Sequence, residues 1–268
     1  MKVRRRWVMF VLVVVVVSGG GVAWLRHTPE PSYEGVRFSV LLDEFWKNHE
    51  MGRLAHKGTK ELGAAVVPYL ASQFDDDPLR ELAFKIRPKM PDKIASMLPD
   101  PNVYRNRRNM AAGLLTEAGT NAVRALPRLL AITEAETPNY THNYIRAIGI
   151  LAPGTEYEER ARKLLLKVTA EMRLERDLTT RRMSYHLLGS FPADEVVMVL
   201  IEGLNEHRLK NECIQSLVKL GTNAVPELRK VAALEDGHVR PATLVLEKIE
   251  KRFAENESKE RISGEWPF

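Results

Sequence analysis

The sequence contains a single cysteine, Cys213. One cysteine excludes an intrachain disulfide, a C-x-x-C redox pair and a thiolate metal cluster built by this chain alone. A lone thiol is either a nucleophile or a small packing residue, and here Ile214, Leu217 and Val218 follow at the spacing of an apolar helix face. The pattern predicts a buried, unreactive thiol, so packing rather than crosslinking must stabilise the fold.

Aromatic residues are also scarce, at 7% of 268 residues, whereas Leu, Ala, Glu, Lys and Arg are abundant. Their straight or small side chains lose little rotamer freedom in a helix, so this composition favours helices over sheets. The hydrophobic content of 44% is sufficient for a packed core. An all-α fold is therefore predicted.

The chain has little net charge outside its first residues. The formal charge is +5, and residues 1–25 hold Lys2, Arg4, Arg5 and Arg6 without an acidic residue, which leaves about +1 for the remainder. Residues after 25 thus have almost no excess of basic side chains, which a surface that binds nucleic-acid phosphates requires. This argues against a nucleic-acid partner.

Recognised catalytic and metal-binding motifs are absent from the sequence. The seven histidines never form H-E-x-x-H, and there is no G-x-S-x-G, no Walker glycine loop and no G-x-G-x-x-G. We therefore predict no catalytic residue, no metal site and no cofactor.

The one long apolar run is at the N-terminus. Residues 1–6 are basic, and residues 7–25 are apolar apart from Ser18 and would span about 29 Å as a helix at about 1.5 Å per residue. Residues 7–25 are interpreted as a transmembrane anchor or as the hydrophobic region of a signal peptide cleaved near Ala23. The anchor is favoured because glycine is tolerated in membrane helices and no polar cleavage region precedes Arg26.

Flanking charge predicts the side of the membrane. Four basic residues precede the apolar run, and only Arg26 and Arg37 follow it closely. The positive-inside tendency keeps residues 1–6 in the cytoplasm and places the rest of the chain outside, in the periplasm or the extracellular space. Residues 26–37, with two prolines and a glycine, are predicted to be a linker.

The body of the chain repeats itself. LGAAVVPYL at 62–70 matches LGTNAVPEL at 220–228 without a gap, and AGTNAV at 118–123 begins a third copy. In each copy a glycine can end one helix in a left-handed cap, after which a small or polar residue starts the next. Spacings of about 30 to 37 residues between these and weaker copies indicate helix pairs.

The positions of these glycine-containing motifs predict the following architecture for residues 38–253. A first helix begins near Phe38, and six antiparallel pairs follow at about 51–74, 77–98, 102–132, 138–172, 177–204 and 207–234. A capping helix occupies about 238–253, and 254–268 is a polar tail. Aligning the closing glycines predicts two core columns, one with Leu115, Ile150 and Leu217 and the other with Ala112, Ala147 and Ile214.

Residues about 51–252 resemble HEAT and HEAT-like repeats. The turn before the first helix of such repeats often reads Asp-x-x-Val-Arg, and here DGHVR stands at 236–240, DDPLR at 76–80 and the partial DPNV at 100–103. The region before the first helix, at 31–35, is similar to bacterial exported HEAT-repeat proteins of unassigned function. The resemblance implies an α-solenoid whose curved surface, lined chiefly by the second helix of each pair, holds a peptide or protein. The second pair departs from the pattern, since it is short and contains Pro88 and Pro91.

Two groups of side chains are candidates for partner contact. Arg105, Arg107, Arg108, Arg181 and Arg182 fall near the starts of first helices, where they either bind an acidic partner or form bonds between repeats.

The second group is Tyr140, His142 and Tyr144, at the start of the fourth pair. These side chains either form a polar and aromatic contact site or cover neighbouring turns.

These observations favour a membrane-tethered or exported scaffold that binds a protein or peptide and is not an enzyme. Two alternatives remain open: an enzyme resembling the HEAT-like phycobilin lyases, and a structural subunit of a membrane complex.

Overall fold

The computed structural model of the protein describes residues 30–45, 47–75, 77–135, 142–171, 178–233 and 239–263. The predicted anchor at 7–25 lies outside these residues. Among the helices that the structure describes, none is long and apolar enough to cross a bilayer.

The fold is all-α, as predicted, with one small hairpin at its beginning. Strands β1 (Ser32–Tyr33) and β2 (Val36–Arg37) are antiparallel, with Ser32 opposite Arg37 and Tyr33 opposite Val36. The helices are α1 Phe38–Glu44, α2 His49–Leu62, α3 Val67–Ser72, α4 Pro78–Ile86, α5 Asp92–Ala95, α6 Pro101–Leu115, α7 Leu126–Ala135, α8 His142–Leu151, α9 Glu158–Glu171, α10 Leu178–Leu188, α11 Asp194–Gly203, α12 Lys210–Leu220, α13 Val225–Ala232 and α14 Val239–Ser263.

The hairpin lies in the stretch predicted to be a linker, 26–37, so that prediction is wrong for its last six residues. Glu34 and Gly35 both have positive φ, 49° and 77°, which is the backbone of a tight two-residue hairpin turn. The Tyr33 hydroxyl donates to Glu61 of α2 at 2.7 Å. The chain is therefore held against the helical body from Ser32 onwards.

The repeated motif forms the same local structure in each of its copies. Gly63, Gly119 and Gly221 have φ of 51°, 59° and 58°, and each begins a short 3-10 helix that leads into the next α-helix. The positive φ was expected, but ψ is −117° at Gly63 and −126° at Gly221, far from the left-handed helical value of about +47°. Glycine is needed at these junctions because such a backbone strains any residue with a Cβ.

Aspartates begin two helices in the way the sequence indicated. Asp100 accepts a hydrogen bond from the Asn102 N–H at 2.8 Å at the start of α6. Asp77 accepts from the Arg80 N–H at 3.3 Å at the start of α4. These carboxylates satisfy backbone donors that the first turn of a helix leaves unpaired.

The last helix is longer than predicted. Helix α14 continues to Ser263, whereas the sequence pattern placed its end at Phe253 and a polar tail after it. The apolar stripe does end near Phe253, but the residues that follow are rich in Glu and Lys and contain no proline or glycine before Gly264. Helix propensity therefore extends the helix beyond its packed face.

The residues cluster into two compact units, and the boundary falls between Ala118 and Gly119, inside the predicted third pair. In the first unit, α1 contacts α2 and α6, and α3 contacts α6. In the second unit, α10 packs against α8, α9 and α12, α11 against α12, and α13 against α14. First helices of successive pairs are thus neighbours within the second unit.

The predicted core columns are correct at five of six positions. Leu115, Leu217 and all three residues of the second column are buried, but Ile150 is 45% exposed. Helix α12 ends directly before its glycine, whereas α8 ends at Leu151, three residues before Gly154. Counting back from the glycine therefore selects the wrong face of α8, and Ile148 and Leu151 take the buried positions.

Candidate functional site

The arginine pair of α10 is engaged in bonds between neighbouring helices. Arg181 donates to both carboxylate oxygens of Glu206, at 2.7 and 2.5 Å, and to the Thr169 carbonyl of α9 at 3.2 Å. Arg182 donates twice to Glu212 of α12. The structure therefore shows these two arginines bonded to other segments of the chain, as one of the two predicted roles requires.

Two of the three candidate arginines of α6 form hydrogen bonds with other segments of the first unit. Arg107 is paired with both oxygens of Asp43, and Arg108 donates to the Gln73 carbonyl at 3.0 Å. Arg105 is exposed, and no partner is present for it among the described residues. Arg105 alone of these three remains available to a partner.

The three aromatic and imidazole candidates do not form one surface. Tyr140 lies outside the described residues. Tyr144 is buried, which overturns its predicted role in surface contact, because it falls on the core face of α8 beside Ile145 and Ile148. His142 is half-buried and lines a cavity.

That cavity has a volume of about 280 Å³ and lies over α8, α10 and α12, where it is lined by His142, Arg182, His186 and Glu212 among others. A second cavity of about 460 Å³ shares Met183 and His186 with the first and extends to Arg146, Ile150 and Lys219. A third, of about 210 Å³, shares Lys219 and continues to Arg252 and Phe253 of α14. The three cavities lie in a row, each sharing at least one lining residue with the next, and we call their combined lining the first-helix groove.

Helical spacing explains why these residues meet. Within α10 the groove uses Thr179, Arg182, Met183 and His186, which recur at intervals of three or four and so lie on one side of the helix. Helices α8 and α12 contribute stripes of the same period. The groove crosses first helices, whereas the HEAT resemblance implied a surface lined chiefly by second helices.

Two buried polar atoms in the first cavity lack a hydrogen-bond partner in the described part of the chain. They are Nδ1 of His142 and Oε2 of Glu212. Burial lowers the pKa of His142, and the nearby Arg146 lowers it further, which favours the neutral imidazole. Both atoms are buried, so they are closed to the N–H donors of an incoming chain in this structure.

The charge of the groove is predominantly positive. Its lining contains one carboxylate, that of Glu212, and four basic side chains, Arg146, Arg182, Lys219 and Arg252. The formal excess is three positive charges when histidines are left out of the count. Apolar surface is interspersed at Ile150 and Phe253, both of which are exposed. The groove thus combines the cations that attract carboxylates with apolar contact points.

No cluster of three or more His, Cys, Asp or Glu residues that could hold a metal ion occurs among the described residues.

Comparison of the chain with protein-family models, with curated proteins and with solved structures gives no match.

Sequence reasoning selected Arg182 and His142 but missed Arg146, His186, Lys219 and Arg252. These residues lie in the middle or last turns of their helices, whereas the search for contact residues concentrated on helix starts. A signal was present, because each of them is a polar residue three or four positions from another groove residue on the same helix.

Proposed function

We propose that the protein is a HEAT-like α-solenoid, exported or tethered to a membrane by residues 7–25, whose first-helix groove binds an extended acidic segment of a partner protein. The observation that carries the proposal is a row of three cavities with shared lining residues on four helices, together with the excess of basic side chains in that lining.

The dimensions of the groove suit an extended chain. Packed helix axes lie about 10 Å apart, so a line crossing four neighbouring helices is about 30 Å long. An extended peptide rises about 3.3 Å per residue, so about nine residues cover this distance.

The chemistry of the groove suits acidic side chains. Carboxylates of the partner would face Arg146, Lys219 and Arg252, where charge-assisted hydrogen bonds add both affinity and orientation. Electrostatic attraction of this kind also raises the association rate and weakens in salt.

Binding is tested with the full chain in detergent and fluorescent peptides of about nine residues, one alternating Glu and Leu and the other Lys and Leu. We expect tighter binding of the acidic peptide, measured by anisotropy, and a loss of about tenfold or more in the double variant Arg146→Glu, Lys219→Glu. Arg105→Glu is the matched control, since Arg105 is an exposed arginine of the first unit. Equal affinity for the two peptides, or equal losses of affinity in the two variants, would refute the proposal that the groove binds acidic segments.

The location is tested separately by a reporter fused after Phe268. Alkaline phosphatase, active only after export, is compared with a fluorescent protein that matures only in the cytoplasm. Phosphatase activity without fluorescence is the expected result, because the basic residues 1–6 keep the N-terminus inside. Carbonate extraction then separates an anchored chain from one cleaved near Ala23.

A further inference from the structure

Residues 78–98 of the first unit form a surface that the rest of the unit covers only in part. Across helices α4 and α5 and the turns around them, no described side chain is buried. Leu82 is 50% exposed, Ile94 49% and Met97 84%. A helix of a folded domain normally buries its apolar stripe, so exposed apolar residues within one short segment indicate a contact with something else.

Polar and aromatic contacts hold this segment in place. Arg80 and Arg108 stack on the Tyr104 ring of α6, at 3.9 and 4.4 Å from its centroid, and the Phe84 ring lies 5.8 Å from the same ring. Arg87 donates to the Pro99 carbonyl at 2.9 Å. The segment is therefore fixed on the first unit while Leu82, Ile94 and Met97 remain exposed.

The same segment is basic. It contains Arg80, Lys85, Arg87, Lys89 and Lys93 against Glu81 and Asp92. Asp77 and Asp100, just outside the segment, pair with Arg80 and Arg87, so the formal excess that remains is one positive charge. Lys85, Lys89 and Lys93 are exposed, and none has an ion-pair partner within the described ranges. Lysines beside exposed Leu, Ile and Met are the composition of a segment that lies in a membrane interface.

We propose that the surface formed by residues 78–98 docks against the headgroup layer of an anionic phospholipid bilayer. The lysines would lie among the lipid phosphates, and Leu82, Ile94 and Met97 would enter the boundary between headgroups and acyl chains. The inference rests on the membrane tether of the proposed function and is independent of the first-helix groove.

The length of the tether favours a bilayer as the occupant. Only six residues, 26–31, separate the predicted anchor from strand β1, which is held against α2. Fully extended, six residues reach about 20 Å. The first unit of a tethered chain therefore stays within about one domain diameter of the lipid surface, where weak contacts act at high effective concentration.

A second copy of the chain is a less suitable occupant. A two-fold symmetric interface would place this surface against itself, so that the exposed Lys85, Lys89 and Lys93 of one copy would face those of the other. Like charges brought together across an interface oppose association. An anionic bilayer instead presents the opposite charge.

The test uses the full chain in proteoliposomes, with Met97→Cys labelled by an environment-sensitive fluorophore and doxyl-labelled lipid as quencher. Met198→Cys is the matched control, because Met198 is an exposed methionine of the second unit. The parent chain, whose Cys213 is buried, serves as the labelling blank. Vesicles of phosphatidylcholine are compared with vesicles that also contain phosphatidylglycerol, and flotation reports the tether independently.

We expect the probe at position 97 to lose about half its fluorescence to doxyl lipid in anionic vesicles and little in neutral ones. The probe at 198 should change in neither. The triple variant Lys85→Glu, Lys89→Glu, Lys93→Glu should float as before but lose the quenching at 97. Flotation without quenching at 97 would overturn the docking and leave the tether intact, and a protein that does not float with anionic vesicles would overturn both. Shielding of the probe that depends on protein concentration and not on lipid would assign the surface to a second copy.

Discussion

Arg182 donates hydrogen bonds from both Nε and Nη2 to one and the same oxygen of Glu212, Oε1. The other oxygen, Oε2, is buried and has no partner within the described residues. Arg182→Ala would leave a carboxylate that is only 14% exposed without its cation. We expect a loss of about 1 to 3 kcal/mol in the free energy of unfolding, measured by urea titration.

Arg162→Ala is the control for that substitution. Arg162 also pairs with a glutamate of a neighbouring helix, Glu195, at 2.7 Å, but the Glu195 side chain is 51% exposed. Water can solvate the carboxylate left behind, so the expected cost is about 0 to 1 kcal/mol. Equal losses in the two variants would show that the burial of Glu212 has no energetic consequence.

Leu217 and Ile150, which the sequence pattern placed in one core column, should differ in their contribution to stability. Leu217 is fully buried, so Leu217→Ala should cost about 2 to 5 kcal/mol through lost transfer energy and an internal cavity. Ile150→Ala should change the free energy of unfolding by about 0.5 kcal/mol, since Ile150 is exposed at the groove. Thermal or urea unfolding measures the change in each variant. Similar losses of stability would show that Ile150 contributes to the core as Leu217 does, as the sequence pattern predicted.

His142 should make the protein less stable in mild acid. Because its pKa is lowered in the folded state, the folded chain binds fewer protons than the unfolded chain at pH values just below the ordinary pKa of about 6.5. The linkage relation then gives a free energy of unfolding that rises with pH, so stability is lost as pH falls through about 6.5 toward the lowered pKa. The measurement is the urea midpoint between about pH 7.5 and pH 5, and His142→Gln should show a shallower decline. Parallel plots of the urea midpoint against pH for the parent and His142→Gln would show that His142 does not cause the loss of stability in acid.

Cys213 should react slowly with thiol reagents. Burial, together with the nearby carboxylates of Glu212 and Glu206, raises the pKa of its thiol to about 12, so the thiolate is almost absent at neutral pH. Native labelling should be slower than labelling of the denatured chain by about a hundredfold or more, because it needs local opening. Met198→Cys gives the rate at an exposed site of the same unit. A native rate at Cys213 close to that rate would show that the thiol is accessible.

The sequence was most informative where local chemistry decides the structure. The three glycine junctions and the helix starts at Asp77 and Asp100 depend on backbone conformation and on hydrogen bonds between near neighbours. Such interactions are read directly from the order of residues. The helix boundaries accordingly fall close to those predicted.

Tertiary packing was harder to predict. Tyr144 has a polar hydroxyl and stands near a helix start, yet its ring is buried in the core of the second unit. The first-helix groove depends on how α8, α10 and α12 lie side by side, and no single helix pattern specifies this. The hairpin was missed because its strands have two residues each, too few to show an alternating pattern.

The segment 78–98 has a further consequence for how this protein can change over time. Selection for folding retains leucine or isoleucine at a core position because a smaller or polar residue there reduces stability. Met97 and Ile94 escape that pressure, since 84% and 49% of their surfaces are already in water and a substitution there changes little in the folded state. Their apolar character is therefore free to drift unless an external contact maintains it, so the tolerance of these two positions to random mutagenesis in vivo measures how much the cell depends on that contact.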